Sequence, residues 1–376
     1  MTLNDFDLTQ NEILLLKTER AAWSLKNGFP VIIIGTEFQS SVVVFACETL
    51  SVRHQVLLQQ IEDLSVAISA SRASYLFDRK FNSSILIKLK SFSLEEISLL
   101  SATAKKSLYR DDYTEGSSII DHALALSKIA ELLPACLIIN CNDIFLSEEA
   151  LKRWRDANQA IELSQKDIYD YQYNNALLLT EICRAPLKLK DVPHACLVAF
   201  RAEFGGKEHY AIIIGNPWKT ETPSVRIHSS CYMGDLLKVL TCDCGEQLID
   251  AIKFMAAKEE NAGILIYLMQ EGRGIGFSNT LRTYQLQTEG FDTVEANEIL
   301  GFEGDERSFI LAAKILQILQ VNSINLLTNN PRKASEIEKF GIKVAKTTSH
   351  QADIHEFNKD KLQVKASKLG HVFCTK

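Results

Sequence analysis

Arg226-Ile227-His228-Ser229-Ser230-Cys231, followed by Cys242-Asp243-Cys244-Gly245, is the stretch on which the reading of this chain turns. An alternating run, Val225–Ser229, predicts a strand that ends in polar residues, and the segment from about Gly245 to Lys258 predicts a helix. Between them stand three cysteines at spacings of 11 and 2. Thiolates are soft ligands suited to Zn²⁺, and three protein ligands leave the fourth tetrahedral position open, as in a catalytic site. Two plainer readings stay open from the spacing alone: buried structural thiols, or a structural site completed by His228.

Working outward, Tyr267-Leu268-Met269-Gln270-Glu271-Gly272-Arg273-Gly274-Ile275-Gly276-Phe277 runs from a strand at Gly263–Leu268 through a glycine-rich turn into a helix near Gly276–Gln287. Backbone amides in such a turn can cradle phosphate. A dinucleotide fingerprint would need a third glycine where Asn279 stands, which argues against NAD. Arg273 offers a bidentate donor fork to an oligophosphate, and Glu271 can accept from a purine edge or hold Mg²⁺; a surface ion pair is the bland alternative. Asp292, Asp305 and Glu306 are acid candidates near predicted helix starts, where a carboxylate also simply caps. Leu326-Leu327-Thr328-Asn329-Asn330-Pro331-Arg332-Lys333 is a strand that ends in polar residues and two cations, able to hold phosphate or to cap a helix.

The 376 residues suffice for two domains with real cores. Strands at Ala195–Arg201, Tyr210–Ile214, Val225–Ser229, Gly263–Leu268 and Ser323–Leu327, with a helix near Arg307–Leu319, make the second half α/β. In the first half the pattern predicts a helix at Glu12–Lys26, paired strands across Phe29–Gly35 and Ser41–Ala46, and a stretch dominated by helical patterns to about Glu131. A strand at Ala135–Asn140 and a helical stretch from Ser147 to Asn174 complete it. Both halves thus read as α/β (α+β), mixed sheets with flanking helices. The character changes near Ala185-Pro186-Leu187-Lys188-Leu189-Lys190, and the domains are expected over 1–175 and 176–376.

Lys+Arg 41 against Asp+Glu 47 gives a net charge of −6, so bulk charge predicts no nucleic-acid or membrane-surface partner, and local cations must meet any anion. No apolar run approaches the roughly 18 residues of a membrane span, and an acidic start, Met1-Thr2-Leu3-Asn4-Asp5, argues against export; a cytoplasmic protein is expected. Of nine cysteines, Cys47, Cys136, Cys141, Cys183 and Cys196 sit in apolar stretches and read as core thiols.

Taken together, and in this order and spacing, the clusters resemble GTP cyclohydrolase II from about Leu177 onward, including the closing Lys365-Ala366-Ser367-Lys368-Leu369-Gly370-His371. The resemblance implies that Cys231, Cys242 and Cys244 bind one Zn²⁺, which activates water for attack on C8 of guanine and release of formate, with Mg²⁺ arriving on the triphosphate. It implies Asp305 as proton acceptor, Arg307 at the position of the nucleophile proposed toward the α-phosphate, and Tyr284 as a site tyrosine near the base. Arg226, Ile227, His228, Ser229, Ser230, Gln247, Glu271, Gly272, Arg273, Thr293, Thr328 and Lys333 fall on positions that line the GTP site. Released formate, pyrophosphate and a diaminopyrimidine nucleotide would make this the first step of riboflavin synthesis, carried out by a homodimer. A guanidinium stays protonated below about pH 12, so Arg307 is chemically a charge stabiliser. The family commonly has Glu, Thr and Arg where this chain has Ser230, Met233 and Met269, so the alternative is a guanine-nucleotide-binding pseudoenzyme with a regulatory role.

The first half loosely resembles 3,4-dihydroxy-2-butanone 4-phosphate synthase, through Ala21–Ala46, Gly116-Ser117-Ser118-Ile119-Ile120-Asp121-His122-Ala123 and Leu133–Ile138. That family's acid-rich loop reads Gly35-Thr36-Glu37-Phe38-Gln39-Ser40-Ser41 here, and its Gly-His-Thr reads Gly116-Ser117-Ser118. Glu37 alone cannot both hold a metal pair and shuttle protons, so this half is expected to lack synthase activity.

Overall fold

A computed structural model describes residues 8–105, 112–190, 192–203, 205–257, 262–351 and 354–370. Its chain divides into two compact units, one of residues 1–171 with 278–306, the other of residues 172–277 with 307–376. The segment 278–306, which a single cut near residue 175 would place with the C-terminal half, clusters with the N-terminal one.

In the first unit a seven-stranded sheet is built from β1 (Val31–Ile34), β2 (Val42–Ala46), β3 (Ser65–Ile68), β4 (Ile85–Lys88), β5 (Tyr113–Glu115), β6 (Ala135–Asn140) and β7 (Ile161–Ser164), in the order β5-β4-β3-β6-β2-β1-β7. Every pair is antiparallel except β1 with β7. Apolar residues cover both faces, Ile32, Val43, Val66 and Leu137 on one, Val31, Val44, Ala67 and Cys136 on the other, which is period-2 alternation with both sides buried. The helix expected near Glu12–Lys26 spans Gln10–Lys26 and starts on a Thr9/Glu12 capping box.

Two expectations fail here. Ser147–Asn174 is not one helical stretch: the helix Glu148–Asn158 stops at Gln159, which adopts φ 53°, and Ile161–Ser164 then pairs with β1. The stretch between Ala46 and Glu131 also holds β3, β4 and β5, strands of three or four residues, too short to show a period, that form because neighbouring strands satisfy them.

The second unit's sheet comprises β8 (Leu179–Leu189), β9 (Val192–Ala202), β10 (Gly205–Ile214), β11 (Ser224–Ser229), β12 (Gly263–Leu268), β13 (Ser323–Leu327) and β14 (Lys343–Thr348), ordered β14-β13-β11-β12-β10-β9-β8. Strands β8, β9, β10 and β12 run antiparallel, whereas β12, β11, β13 and β14 are parallel. Ala185–Leu189, read as a change of character, lies inside edge strand β8, where Pro186 is tolerated. One face buries Val225, Ile227, Ile266 and Leu326 under the helix Ile310–Ile318; the other packs Leu265 and Leu327 against Ala251 and Met255 of the helix Cys244–Ala257. Because ligand sites in such sheets form beyond the carboxyl ends of parallel strands, the ends of β11, β12 and β13 are where chemistry is expected. No helix among the described residues is long and apolar enough to cross a membrane.

Candidate active site

β11 ends at Ser229, and Ser230, Cys231 and a π-helical turn, Tyr232–Leu236, follow. That turn brings Cys231 back to Cys242 and Cys244, the latter opening the helix Cys244–Ala257. The three sulfurs lie within 4.8 Å of one another, with 3.5 Å between those of Cys231 and Cys242, too far for a disulfide. Two glycines make the approach possible: a Cβ on Gly234 would sit 2.7 Å from the Cys242 sulfur, and one on Gly245 would sit 2.1 Å from the Gly234 carbonyl. The Cys231 thiol is pushed far upward, first by its hydrogen bonds to Cys242 and Cys244 and then by burial. Three sulfurs crowded like this repel as thiolates, and a soft divalent cation relieves the repulsion, so the donor set fits Zn²⁺.

His228 is not directed at the sulfurs. Its Nε2 lies 3.1 Å from both oxygens of Asp235, so the ring N–H donates a hydrogen bond to that side chain. Asp235 also accepts from the Cys231 backbone N–H at 3.0 Å and from the Tyr267 hydroxyl at 2.7 Å. Tyr267 stacks on His228 with ring centroids 5.4 Å apart, as their register in β11 and β12 requires. Burial, followed by the bond to Asp235, raises the Tyr267 phenol well above its usual value. Among the described residues the three cysteines are therefore the clustered ligand set, and the reading with His228 as fourth ligand is not what the geometry offers.

Alternation along β11 turns Arg226 toward the helix that begins at Cys244. Its Nη2 donates to Gln247 Oε1 at 2.6 Å and its Nη1 to the Leu327 carbonyl at 2.9 Å. Gln247 in turn donates to Asp243 at 2.7 Å, and Lys365 closes the chain with an ion pair to Asp243. Gln247, expected to read a guanine edge, is thus committed through both amide atoms to Arg226 and Asp243. Burial lowers the Arg226 guanidinium to about 10, so it stays charged at neutral pH. Lys333, in the first turn of the helix Pro331–Lys339, is buried, donates to the Ile227 carbonyl at 2.8 Å and lies 5.4 Å from the Phe309 ring centroid. Thr328 is buried at the end of β13, its hydroxyl accepting from Asn330 N–H.

Beyond β12, Gly272 and Arg273 both take left-handed conformations, φ 61° and 63°, a strained turn for arginine. Glu271 Oε2 accepts from the Tyr232 N–H at 2.9 Å, and burial raises this carboxyl above its usual range. Its Oε1, the Ser229 and Ser230 hydroxyls and Arg226 Nε are buried without a hydrogen-bond partner. A buried polar atom left unsatisfied costs about 1–3 kcal/mol, so the Ser229 and Ser230 hydroxyls at the end of β11 and Glu271 Oε1 just beyond the neighbouring end of β12 mark a place shaped for a polar ligand.

The remaining expected residues divide between the units. Arg307 is in the second unit, its guanidinium 5.5 Å from the Phe309 ring centroid, whereas Tyr284, Thr293 and Asp305 are in the first, all partly buried. Asp292 is the N-cap of the helix Thr293–Ile299, its side chain accepting from Val294 and Glu295, which is the capping role. Glu306 accepts from Lys128 at 2.6 Å. Sequence reading missed Asp235, for which an acid four residues after a ligand cysteine was the available signal, and it quoted Lys365 only as part of the closing segment, without a role at the site.

The model of the family described as GTP cyclohydrolase II matches residues 180–349. GTP cyclohydrolase-2 from Tolumonas auensis is 44% identical over 176 residues, covering 47% of this chain and 88% of that protein. The chain belongs to the GTP cyclohydrolase II family. GTP cyclohydrolase-2 from Azospirillum brasilense is 40% identical over 251 residues, 67% of this chain and 64% of that protein; riboflavin biosynthesis protein RibBA from Thermotoga maritima is 47% identical over 210 residues, 56% of this chain and 52% of that one. The chain thus spans between about half and two thirds of these longer relatives. The solved structure of a two-domain 3,4-dihydroxy-2-butanone 4-phosphate synthase from A. baumannii aligns at 16% identity over 89% of this chain and 99% of its own, with a TM-score of 0.32, too low to carry a fold across. The family match takes in the three cysteines and every expected GTP-site residue, while His371 of the closing segment lies outside the described residues.

Proposed function

We propose that this protein hydrolyses GTP, opening the guanine imidazole ring with loss of formate and pyrophosphate to give 2,5-diamino-6-ribosylamino-4(3H)-pyrimidinone 5′-phosphate, the first step of riboflavin biosynthesis. The observation that carries the reading is the triangle of Cys231, Cys242 and Cys244, with unsatisfied buried oxygens of Ser229, Ser230 and Glu271 at the neighbouring ends of β11 and β12, in a chain of this family. These cysteines would hold Zn²⁺, which supplies Lewis acidity and activates water at neutral pH.

Arg226, Arg273 and Lys333 supply positive charge for a triphosphate that carries its own Mg²⁺. Glu271 Oε1, buried and unsatisfied, suits the donors along a guanine edge; its raised pKa reflects what that burial costs before a base arrives. Ser229 and Ser230 offer hydroxyls at the same strand end. Asp305 takes the proton, as its family position implies, and Arg307, at the family's nucleophile position, stabilises phosphate charge because its guanidinium stays protonated. The first unit is proposed to lack synthase activity, since its loop 35–41 supplies one carboxylate, the exposed Glu37. Cytoplasmic location and a homodimer belong to the same proposal.

The test is incubation of zinc-loaded protein with GTP and Mg²⁺, following formate, pyrophosphate and the diaminopyrimidine. Formate in step with the pyrimidine supports the reading; saturable GTP binding without formate would identify a nucleotide-binding pseudoenzyme. Ribulose 5-phosphate in parallel should give no butanone phosphate.

A further inference from the structure

Residues 278–306 belong to the first unit because the N-terminal half grips them at several points. Asn279 donates to the Glu131 carbonyl at 3.0 Å. Arg282 pairs with Glu48 at 2.8 Å, and the other oxygen of Glu48 accepts from the Leu133 N–H, so the carboxylate is fixed from both sides. Tyr75 meets Phe291 edge to face, and Lys128 pairs with Glu306, next in the chain to Asp305.

Arg72 makes the deepest of these contacts. It is 1% exposed, and its guanidinium donates to the carbonyls of Leu99, Leu100 and Thr103, at the end of the helix Leu94–Ala102, and to the carbonyl of Ile299, the last residue of the helix Thr293–Ile299. A buried cation thus sits at the negative ends of two helix dipoles and supplies donors to the carbonyls there, that of Leu99 also accepting from the Thr103 hydroxyl at 3.4 Å. One residue pair closes the joint. Ser69, the N-cap of the helix carrying Arg72, donates to the Gly301 carbonyl at 2.6 Å, and Gly301 comes so close, at φ 86°, that a Cβ there would lie 3.0 Å from the Ser69 hydroxyl and 3.3 Å from the Arg72 Cβ.

We propose that the N-terminal half of this chain serves as the framework that orders residues 278–306, with Arg72 as the positioning residue. The segment holds Tyr284, Thr293 and Asp305, so the proposal rests on the GTP hydrolase reading for its catalytic consequence and on unit geometry for the rest. A half without synthase carboxylates then contributes by supplying rigid donors to a segment that carries family site positions. Lysine cannot replace Arg72, because a single ammonium cannot reach four carbonyls spread over two helix ends.

The test uses the full-length, zinc-loaded protein with two variants, Arg72→Lys and, as a control for loss of stability alone, Leu163→Ala, buried in edge strand β7, four strands from β3 and in the core of the opposite sheet face from Leu100. Amide hydrogen exchange across residues 293–302 and formate release are read on each, with zinc content measured. Arg72→Lys should speed exchange there at least tenfold and lower kcat at least tenfold with zinc unchanged, whereas Leu163→Ala should lower Tm but leave both within about twofold. Should Arg72→Lys fail to fold, Glu48→Gln reads the same joint, with faster exchange across residues 279–286 expected. Unchanged exchange in these variants, or equal losses in the Leu163 control, would overturn the proposal. If the wild-type protein releases no formate, the hydrolase reading fails while exchange still decides the framework claim.

Discussion

Lys365 Nζ lies 2.6 Å and 2.8 Å from the two carboxylate oxygens of Asp243, the residue between two of the three clustered thiols. The pair is nearly dry, with side chains 12% and 2% exposed, and it ties the helix Lys359–Leu369 to the ligand loop.

Removing one partner of a buried pair strands the other charge. Lys365→Met should therefore destabilise the second unit by about 3–5 kcal/mol and speed zinc loss to a chelator. Urea unfolding and chelator competition check this, and Asp243→Asn added to Lys365→Met should recover part of the loss.

His209 gives the pH dependence. It is buried, its Nδ1 accepts from the Met269 N–H at the end of β12, and burial holds its pKa at about 4 against 6.5 in an unfolded chain. The unfolded state binds the extra proton as pH falls below 6.5, so this contribution is complete above 6.5 and is lost as pH drops through 4, about 3 kcal/mol in all. Urea unfolding at stepped pH should show that slope, and His209→Asn should flatten it.

Glu271→Gln should test base recognition. If Oε1 meets guanine donors, the substitution should raise KM for GTP tenfold or more, about 1.4 kcal/mol, and narrow the preference for GTP over ITP. Steady-state kinetics with both nucleotides measure it; an unchanged ratio would remove Glu271 from the recognition role.

Cys136 and Cys141 are each pushed up to about 12, chiefly by burial. Both should resist iodoacetamide at pH 8 in the folded protein and react fully in urea, which mass spectrometry of the alkylated peptides will show.

Much of the site was legible because it lies on long, strongly patterned elements. Val225–Ser229 and Ser323–Leu327 alternate clearly, and the cysteine spacing depends on no tertiary fact. The four-residue strands β3, β4 and β7 were not legible, since pairing rather than local preference makes them. Gln247 shows the limit most sharply. Its residue type suits a base edge, yet the fold engages its amide with Arg226 and Asp243, a commitment visible only once β11 and the helix after it face each other. The same holds for Arg72, an arginine in an ordinary helical pattern until Ile299, more than two hundred residues away, meets it.

X-ray absorption at the zinc edge on purified protein tests the central claim most directly. Three sulfur ligands at about 2.3 Å and one oxygen or nitrogen are expected, changing to two sulfurs or loss of the ion in Cys242→Ser, together with the end of formate release. Four sulfurs, or no bound zinc in protein that still releases formate, would contradict it.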